Sequence, residues 1–250
     1  MKRNFRLFII FLVFCICISC GGMRVTSKRT VLTSAFGSHI AWVYRCNRMA
    51  EKKVALTFDD GPHPKQTSQI LDILKEYGVR ATFFMVGENA ERYPDLVKRI
   101  RDEGHEIGNH TYSHAQATKT DLSHIEEELL RCESVIERIS DVRPRLFRPP
   151  CGAIEAELGE LCESLGYRVV LWSVDTRDWC HIPSAEIAEK VVSGIKDGDI
   201  ILMHDYIGSN SPTPEALKKI IPALIARGYE FTLVSDLLEI GSQAEPIAYP

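Results

Sequence analysis

Two adjacent aspartates, Asp59 and Asp60, follow the apolar run of a predicted buried strand in the segment TFDDGP. Adjacent carboxylates repel each other, and burying them costs free energy unless a cation or a proton lies between them. Asp and Gly also favour turns, but a turn does not require a carboxylate pair directly after a buried strand. We therefore predict that one aspartate binds a metal ion and that the other accepts a proton from the attacking water.

A second set of candidate ligands is the histidine pair of the segment HTYSH, His110 and His114. Their spacing of four residues places both rings on one face if the segment forms a helical turn. Two imidazoles and one carboxylate leave an open position on a divalent metal, as in hydrolytic sites, and zinc suits this ligand set best. Two surface histidines without ligand function are the alternative, which the nearby segments FDD and RPP disfavour.

Strand-like runs alternate with helical patterns, which predicts a parallel α/β sheet. The clearest helical pattern spans residues 121–139, and another starts with Thr213 as N-cap and ends at Gly228, with a kink expected at Pro222. The strand-like runs are residues 54–59, 80–87, 105–109, 145–148, 167–175, 199–204 and 229–234. These seven units fit a barrel or an open sheet covered on both faces, because periodicity does not show closure.

Titratable side chains fall at or just after the carboxyl ends of five predicted strands. They are Asp59 and Asp60, His110 and His114, Arg148, Asp175 and Asp178, and His204. Catalytic groups collect at the carboxyl ends of strands in barrels and in open α/β sheets alike. The sequence therefore predicts that these side chains share one rim of the sheet.

The overall composition is that of an ordinary globular chain with one sizeable core. The 250 residues are 45% hydrophobic and 26% charged, and the formal net charge is -4. Without a long basic block, nucleic acid is not an expected partner. No protein partner is predicted either.

The first twenty residues have the pattern of a secretory leader. Lys2, Arg3 and Arg6 precede an apolar run at residues 7–18, which is too short to span a bilayer comfortably. The following SCGG resembles a bacterial lipoprotein cleavage site, after which Cys20 would carry lipid. Ordinary signal cleavage and an uncleaved anchor are the alternatives. All three place the protein outside the cytoplasm, and the lipoprotein interpretation predicts membrane attachment in the cell envelope.

The remaining boundaries follow from this leader. We predict a signal peptide over residues 1–20, a tether or N-terminal extension over 21–51, one domain over 52–238 and a loose tail over 239–250. Five cysteines lie beyond the leader and the candidate lipid site, an odd number without a CxxC motif, so neither a zinc finger nor a dense disulfide framework is indicated. One or two disulfides remain open, and burial as small apolar side chains is favoured.

The segments TFDDGP, HTYSH, FRPPCG, DTRDW and LMH, in this order, closely resemble the five motifs of the polysaccharide deacetylase family. This family is the NodB-like homology domain of carbohydrate esterase family four, and the resemblance covers about residues 50–238. It implies a distorted (β/α) barrel with fewer than eight complete units, in agreement with the seven counted above. It also implies hydrolysis of acetyl groups on a polysaccharide, most like the peptidoglycan N-acetylglucosamine deacetylases.

The resemblance implies roles for the matching residues. Asp60, His110 and His114 would bind a divalent metal, with zinc expected and cobalt or nickel as alternatives. Asp59 would be the general base. Arg148 would pair with Asp59, holding it ionised and aimed at the water.

The acid side of the site is implied in the same way. His204 would protonate the leaving amine, and Asp178 would hold His204 in its working tautomer. Trp179 and Leu202 would form the apolar slot for the acetyl methyl group, although Leu202 alone would by default be assigned to the core. The backbone N–H of Cys151 would help to bind the oxyanion.

Two positions depart from the family pattern. Cys151 stands where the family usually has Tyr or Phe, which changes the wall of the substrate groove, and Ala115 replaces a frequent proline. A cysteine nucleophile is a rival interpretation, disfavoured because no independent Cys–His pair is evident. Asp175 is interpreted as a structural or supporting residue.

The sequence thus predicts a metal-dependent deacetylase whose first candidate substrate is peptidoglycan N-acetylglucosamine. Chitooligosaccharides and O-acetylated xylan remain alternative substrates. A non-catalytic glycan-binding domain and a hydrolase of non-sugar amides are the rival classes.

Overall fold

The computed structural model describes residues 29–33, 40–239 and 241. Within this part of the chain, ten strands form one sheet that eight α-helices cover. The strands are β1 (Arg29–Thr33), β2 (Ile40–Tyr44), β3 (Lys53–Asp59), β4 (Thr82–Met85), β5 (Glu106–Asn109), β6 (Leu146–Phe147), β7 (Arg168–Val170), β8 (Val174–Asp175), β9 (Ile200–His204) and β10 (Glu230–Phe231). The helices are α1 (Gln66–Tyr77), α2 (Gly87–Arg92), α3 (Pro94–Asp102), α4 (Leu122–Ser140), α5 (Ala156–Ser164), α6 (Ser184–Gly194), α7 (Thr213–Ala226) and α8 (Val234–Glu239).

The sheet curls into a distorted barrel, as predicted. Its strand order is β1-β2-β7-β6-β5-β4-β3-β9-β8, with β10 beside the start of β3, and only β1 and β2 pair antiparallel. Strands β7 and β8 belong to one segment, residues 168–175, which reaches both sides of the curled sheet. Within it, Leu171 N–H donates to the carbonyl of Tyr44 at 2.8 Å and Ser173 N–H to that of Ile200 at 3.0 Å. The single strand predicted over 167–175 is therefore divided in two.

Alternation along β3 decides which side chains reach the barrel interior. Leu56 and Phe58 pack with the helices in one core cluster, whereas Ala55 packs with barrel residues in another. Because successive side chains point to opposite faces, Thr57 and Asp59 lie on the same face as Ala55. This strand therefore delivers polar groups to the interior at its carboxyl end.

The starts of two helices can be compared with the two helical patterns found in the sequence. Helix α4 begins after Asp121, whose side chain accepts a hydrogen bond from His124 N–H at 2.9 Å. Helix α7 continues through Pro222, but the N-cap assigned to Thr213 is wrong. Pro212 occupies the cap position, and the Thr213 side chain is used elsewhere.

The predicted extension over residues 21–51 includes structured elements. Strand β2 pairs with β7, and Val43, Cys46 and Ala50 are buried. All five cysteines in the described ranges are free thiols, and Cys46, Cys132 and Cys162 are buried.

The predicted leader and its lipid-site residue Cys20 lie outside the described residues, as does most of the predicted tail. None of the helices in the described ranges combines the length and apolar character needed to cross a bilayer.

Candidate metal and catalytic site

The aspartate pair leaves β3 through a tight turn that only glycine permits. Asp59 is buried at the strand end, and Asp60 has a left-handed backbone with φ 77°. Gly61 N–H then donates to Asp205 Oδ1 at 2.9 Å, and a Cβ atom at position 61 would lie 1.9 Å from Asp205 Oδ2. The glycine is therefore required by this close approach to a buried carboxylate.

Asp60, His110 and His114 converge on one point. Asp60 Oδ1 lies 3.3 Å from His110 Nε2 and 3.2 Å from His114 Nε2, and it is buried without a hydrogen-bond donor. Burial opposes ionisation of Asp60, but the two neighbouring rings hold its pKa well below the usual range. The ligand atoms all lie within 4.8 Å of one another. A carboxylate and two imidazoles at this spacing fit a divalent cation.

The tautomer of His110 supports this interpretation. Its Nδ1 lies 2.7 Å from the carbonyl oxygen of Arg148, which can only accept a hydrogen bond. Nδ1 therefore carries the proton and donates, and in the neutral ring the lone pair on Nε2 points towards Asp60. Such an outer hydrogen bond orients a metal-binding histidine.

The loop between the two histidines is not a helical turn, so their rings converge for another reason than helical spacing. Thr111 and His114 have left-handed backbones, with φ 66° and 62°. Side chains from other elements hold this loop: Asn109 Oδ1 accepts from Thr111 N–H at 2.9 Å, and the buried Glu128 of α4 accepts from Ser113 N–H at 2.7 Å and Ser113 Oγ at 3.0 Å. Left-handed residues cost free energy, so these bonds stabilise an otherwise unfavourable conformation.

Arg148 is fully buried behind Asp59, which excludes a plain surface role. Its Nη1 donates to Asp59 Oδ1 and to Thr57 Oγ1, both at 2.7 Å. The remaining donors reach the carbonyls of Val170 at 3.2 Å and Leu171 at 3.1 Å. Burial lowers the pKa of the guanidinium, and the Asp59 carboxylate opposes that shift. Thr57 was not predicted, although its position two residues before Asp59 on one strand face was a usable signal.

His204 and Asp178 form the second half of the site. His204 Nδ1 lies 2.7 Å from Asp178 Oδ1, and Asp178 is completely buried. Burial lowers the pKa of His204, but the hydrogen bond and the charge of Asp178 outweigh it and raise the pKa to about 9. Thr213 Oγ1 donates to Asp178 Oδ2 at 2.7 Å, a contact between distant segments that the sequence did not reveal.

One cavity of about 430 Å³ unites these groups. It is lined by Asp59, Asp60, His110, His114, Cys151, Trp172, Asp175, Trp179, Leu202 and His204. Arg148 and Asp178 lie behind Asp59 and His204, so the structure assembles every residue predicted for the site. Trp172 was not predicted.

The apolar part of the cavity wall is uneven in exposure. Trp179 is 49% exposed and therefore not a core residue, whereas Leu202 is 3% exposed. Asp175 Oδ1 accepts from Trp179 Nε1 at 3.4 Å, as a supporting residue would. Cys151 is exposed in a left-handed conformation, with φ 60°.

A set of three candidate metal ligands with a carboxylate and a histidine beside it, at the carboxyl ends of barrel strands, is typical of hydrolases. The family assignment is more specific. This chain belongs to the polysaccharide deacetylase family, whose model matches residues 47–170. Membership, the barrel fold and the enzyme class predicted from the motifs are thereby confirmed.

Individual relatives are similar over most of the domain. A peptidoglycan-N-acetylglucosamine deacetylase of Bacillus cereus is 44% identical over 190 residues, covering 75% of this chain and 89% of the relative. The crystal structure of the Bc1960 peptidoglycan N-acetylglucosamine deacetylase has a TM-score of 0.76 and 37% identity, covering 78% and 92% of the two chains. A family 4 acetyl xylan esterase from Clostridium thermocellum, in complex with a cobalt ion, has a TM-score of 0.69 and 34% identity, covering 75% and 91%.

Proposed function

We propose that this chain removes N-acetyl groups from the N-acetylglucosamine residues of peptidoglycan. The observation that carries the proposal is the convergence of Asp60, His110 and His114, with Asp59 and His204 in the same cavity. Similarity to the Bacillus cereus enzyme supports the choice of substrate.

The base side of the proposed mechanism follows from the geometry around Asp59. Asp60, His110 and His114 would bind a divalent cation, which is zinc in our proposal, with cobalt or nickel as alternatives. The bound cation would polarise the acetyl carbonyl and lower the pKa of a water molecule to about 7. Arg148 holds Oδ1 of Asp59, while Oδ2 lies 3.9 Å from His110 Nε2 beside the ligand cluster. Asp59 therefore accepts a proton from the water molecule while the water oxygen attacks the acetyl carbon.

The acid side depends on His204. Its Nδ1–H is bound to Asp178, so Nε2 is the atom that can serve the substrate. When the C–N bond breaks, Nε2 gives its proton to the leaving nitrogen, and acetate and a free amine result. In this proposal Trp179 and Leu202 form the walls of the slot for the acetyl methyl group, and the backbone N–H of Cys151 donates a hydrogen bond to the oxyanion.

Ester hydrolysis is the second candidate function. The similarity to an acetyl xylan esterase favours it, since the same base can activate water and the same acid can protonate the leaving oxygen, which releases acetate and an alcohol from an O-acetyl group. Chitooligosaccharides are a further substrate within the first function.

Acetate release tests these proposals. The full-length chain, purified in detergent, is incubated with peptidoglycan, chitooligosaccharides and acetylated xylan after chelation and after return of zinc, cobalt or nickel. We expect metal-dependent release, fastest from peptidoglycan, that Asp59→Asn lowers by about 10²-fold to 10⁴-fold and Cys151→Ala preserves. Release that requires the Cys151 thiol would favour a cysteine nucleophile. Binding of the metal without release from any glycan would favour the glycan-binding or non-sugar amidase class.

We also propose that the protein is a lipoprotein held at the bacterial membrane through Cys20. The leader pattern supports this location, because peptidoglycan lies outside the cytoplasm. Labelling with a fatty acid and membrane fractionation of the native chain and Cys20→Ala test the proposal. A labelled, membrane-bound Cys20→Ala variant would contradict it.

A further inference from the structure

A second cavity, of about 600 Å³, opens between the loops that follow β3 and β9 and the first residues of α1 and α7. It shares no lining residue with the cavity that contains Asp60, His110 and His114. We propose that this cavity is a saccharide subsite that binds a further sugar residue of the polysaccharide while an acetyl group is hydrolysed. This inference rests on the proposed function and specifies the length of glycan that the enzyme recognises.

Two residues that line the cavity, Tyr206 and His63, form an aromatic platform. The two rings stack with centroids 4.8 Å apart and planes 13° from parallel, and Tyr206 is 37% exposed. His63 in turn packs edge-on against Tyr93, at 6.4 Å. The negative face of an aromatic ring attracts positively polarised C–H groups, which the faces of a pyranose ring present.

His63 is suited to this stack because it is neutral near neutral pH. Burial and the charge of Lys65 both lower its pKa. Its Nδ1 accepts from Gln66 N–H at 3.3 Å, which leaves the ring proton on Nε2. An uncharged ring stacks on Tyr206 without placing a cation in the cavity.

The loop that carries Tyr206 is tied down on both sides of that residue. Before it, the buried Asp205 carboxylate accepts from Thr67 Oγ1 of α1 at 2.6 Å. After it, the Gln66 side chain accepts from Ile207 N–H at 3.3 Å and donates to the carbonyl of Gly208. A platform held in place before the ligand arrives loses little conformational entropy on binding.

The polar lining favours a neutral, hydroxyl-rich ligand. Gln69, Asn210 and Ser211 supply amide and hydroxyl groups that both donate and accept hydrogen bonds, as sugar hydroxyls do. Lys65 and Glu215 place opposite charges in the same lining. An anion such as phosphate would meet the Glu215 carboxylate, so the charge pattern does not select for it.

The platform lies close to the reacting groups. Asp59 pairs with His204 across β3 and β9, and Tyr206 follows His204 by two residues. Two residues span at most about 7 Å between Cα atoms. In this proposal, a glycan with its acetyl group between Asp59 and His204 places a neighbouring sugar residue on the platform.

The test compares substrate length rather than activity alone. With the full-length holoenzyme, kcat/KM is measured on the chitin disaccharide and pentasaccharide for the native chain, Tyr206→Ala and Tyr206→Phe. Stacking on one ring contributes about 0.5–1.5 kcal/mol, so Tyr206→Ala should lower kcat/KM on the pentasaccharide by about 2-fold to 10-fold, mainly through KM. The disaccharide should react at the native rate, and Tyr206→Phe should resemble the native chain on both. Equal effects on both lengths, or no effect, would overturn the subsite.

A binding measurement separates this inference from the proposed function. Pentasaccharide affinity is determined by calorimetry in the Asp59→Asn background, with and without Tyr206→Ala. Binding that depends on Tyr206, in a protein whose native form releases no acetate, would support the subsite and contradict the deacetylase. Acetate release by the native protein, with an affinity that does not depend on Tyr206, would support the deacetylase and contradict the subsite. Absence of glycan binding would contradict the subsite and the deacetylase alike.

Discussion

His204 and Asp178 are joined twice: the ring Nδ1 of His204 lies 2.7 Å from Asp178 Oδ1, and its backbone N–H donates to Oδ2 at 2.8 Å. Asp178 thus fixes both the ring and the strand end that carries it. Because Asp178 is completely buried and also accepts from Thr213, its carboxylate has little freedom to turn away. The histidine is held as a proton donor before any substrate arrives.

Asp178→Asn should shift the alkaline limit of activity. His204 must be protonated to act as an acid, so native activity should fall as the pH rises through its pKa of about 9. The neutral amide of Asn at position 178 cannot stabilise the imidazolium of His204 as a carboxylate does. Burial then lowers the pKa of His204. The alkaline limb should move to lower pH, with about a 100-fold loss at neutral pH. Rate–pH profiles and NMR titration of the ring check this, with Thr213→Val as a control that keeps the carboxylate. An unchanged limb in Asp178→Asn would refute the assignment.

Asp59→Asn and Asp60→Asn should separate the base from the metal ligand. We expect Asp59→Asn to lose about 10²-fold to 10⁴-fold in kcat while keeping its zinc affinity. Asp60→Asn should lose zinc affinity itself. Zinc competition against a chelator measures both, and thermal unfolding reports the cost of leaving Arg148 without its carboxylate. Retention of about a tenth of the rate by Asp59→Asn would be too much for a missing general base.

Glu128→Gln should weaken metal binding without touching a ligand. Glu128 holds the histidine loop through Ser113, and loss of such outer contacts typically costs about 10-fold to 100-fold in metal affinity. The matched control is Glu127→Gln, because the Glu127 side chain is 81% exposed on the same helix. Zinc affinity without substrate is the readout. Equal affinities in the two variants would show that the loop holds its shape without Glu128.

Asp205→Asn should change how stability depends on pH. Burial raises the pKa of Asp205 to about 7, from an ordinary value of 3.8. Between these two pKa values the folded state binds one more proton than the unfolded state. The contribution of Asp205 to the free energy of unfolding is therefore complete below the unfolded pKa of 3.8, and it is lost as the pH rises to the folded pKa of about 7. Between these pH values the free energy of unfolding of the native chain should fall by about 1.4 kcal/mol per pH unit relative to that of Asp205→Asn.

Urea unfolding of the two metal-free proteins across this pH range measures that difference. Contributions from other titrating groups cancel in the comparison, since the proteins differ at one position. Parallel stability curves would show that Asp205 is ionised in the folded protein throughout the range.

The sequence was most informative where the chemistry is local. The aspartate pair, the histidines and Arg148 stand at strand ends, and strand ends can be read from apolar runs and turn residues. The supporting contacts were invisible because they join distant segments: Glu128 reaches a loop 15 residues away, and Thr213 reaches Asp178 across 35 residues. No periodicity encodes such pairs.

The division of the predicted strand over 167–175 has a similar cause. Its apolar composition suits a continuous buried strand, and only the curl of the whole sheet decides where the segment changes neighbours. The left-handed backbone of Thr111, between the two candidate metal-binding histidines, is also set by its surroundings, since a β-branched residue disfavours that conformation by itself.

Arg148 connects the catalytic base to the segment that closes the barrel. Its guanidinium binds Asp59 on one side and the carbonyls of Val170 and Leu171 on the other. Replacing it would remove four hydrogen bonds from a fully buried position, so damage to the base and damage to the sheet would occur together. An inert version of this protein, made as a reagent for capturing glycans, is therefore better built by changing His204, which leaves the barrel closure intact.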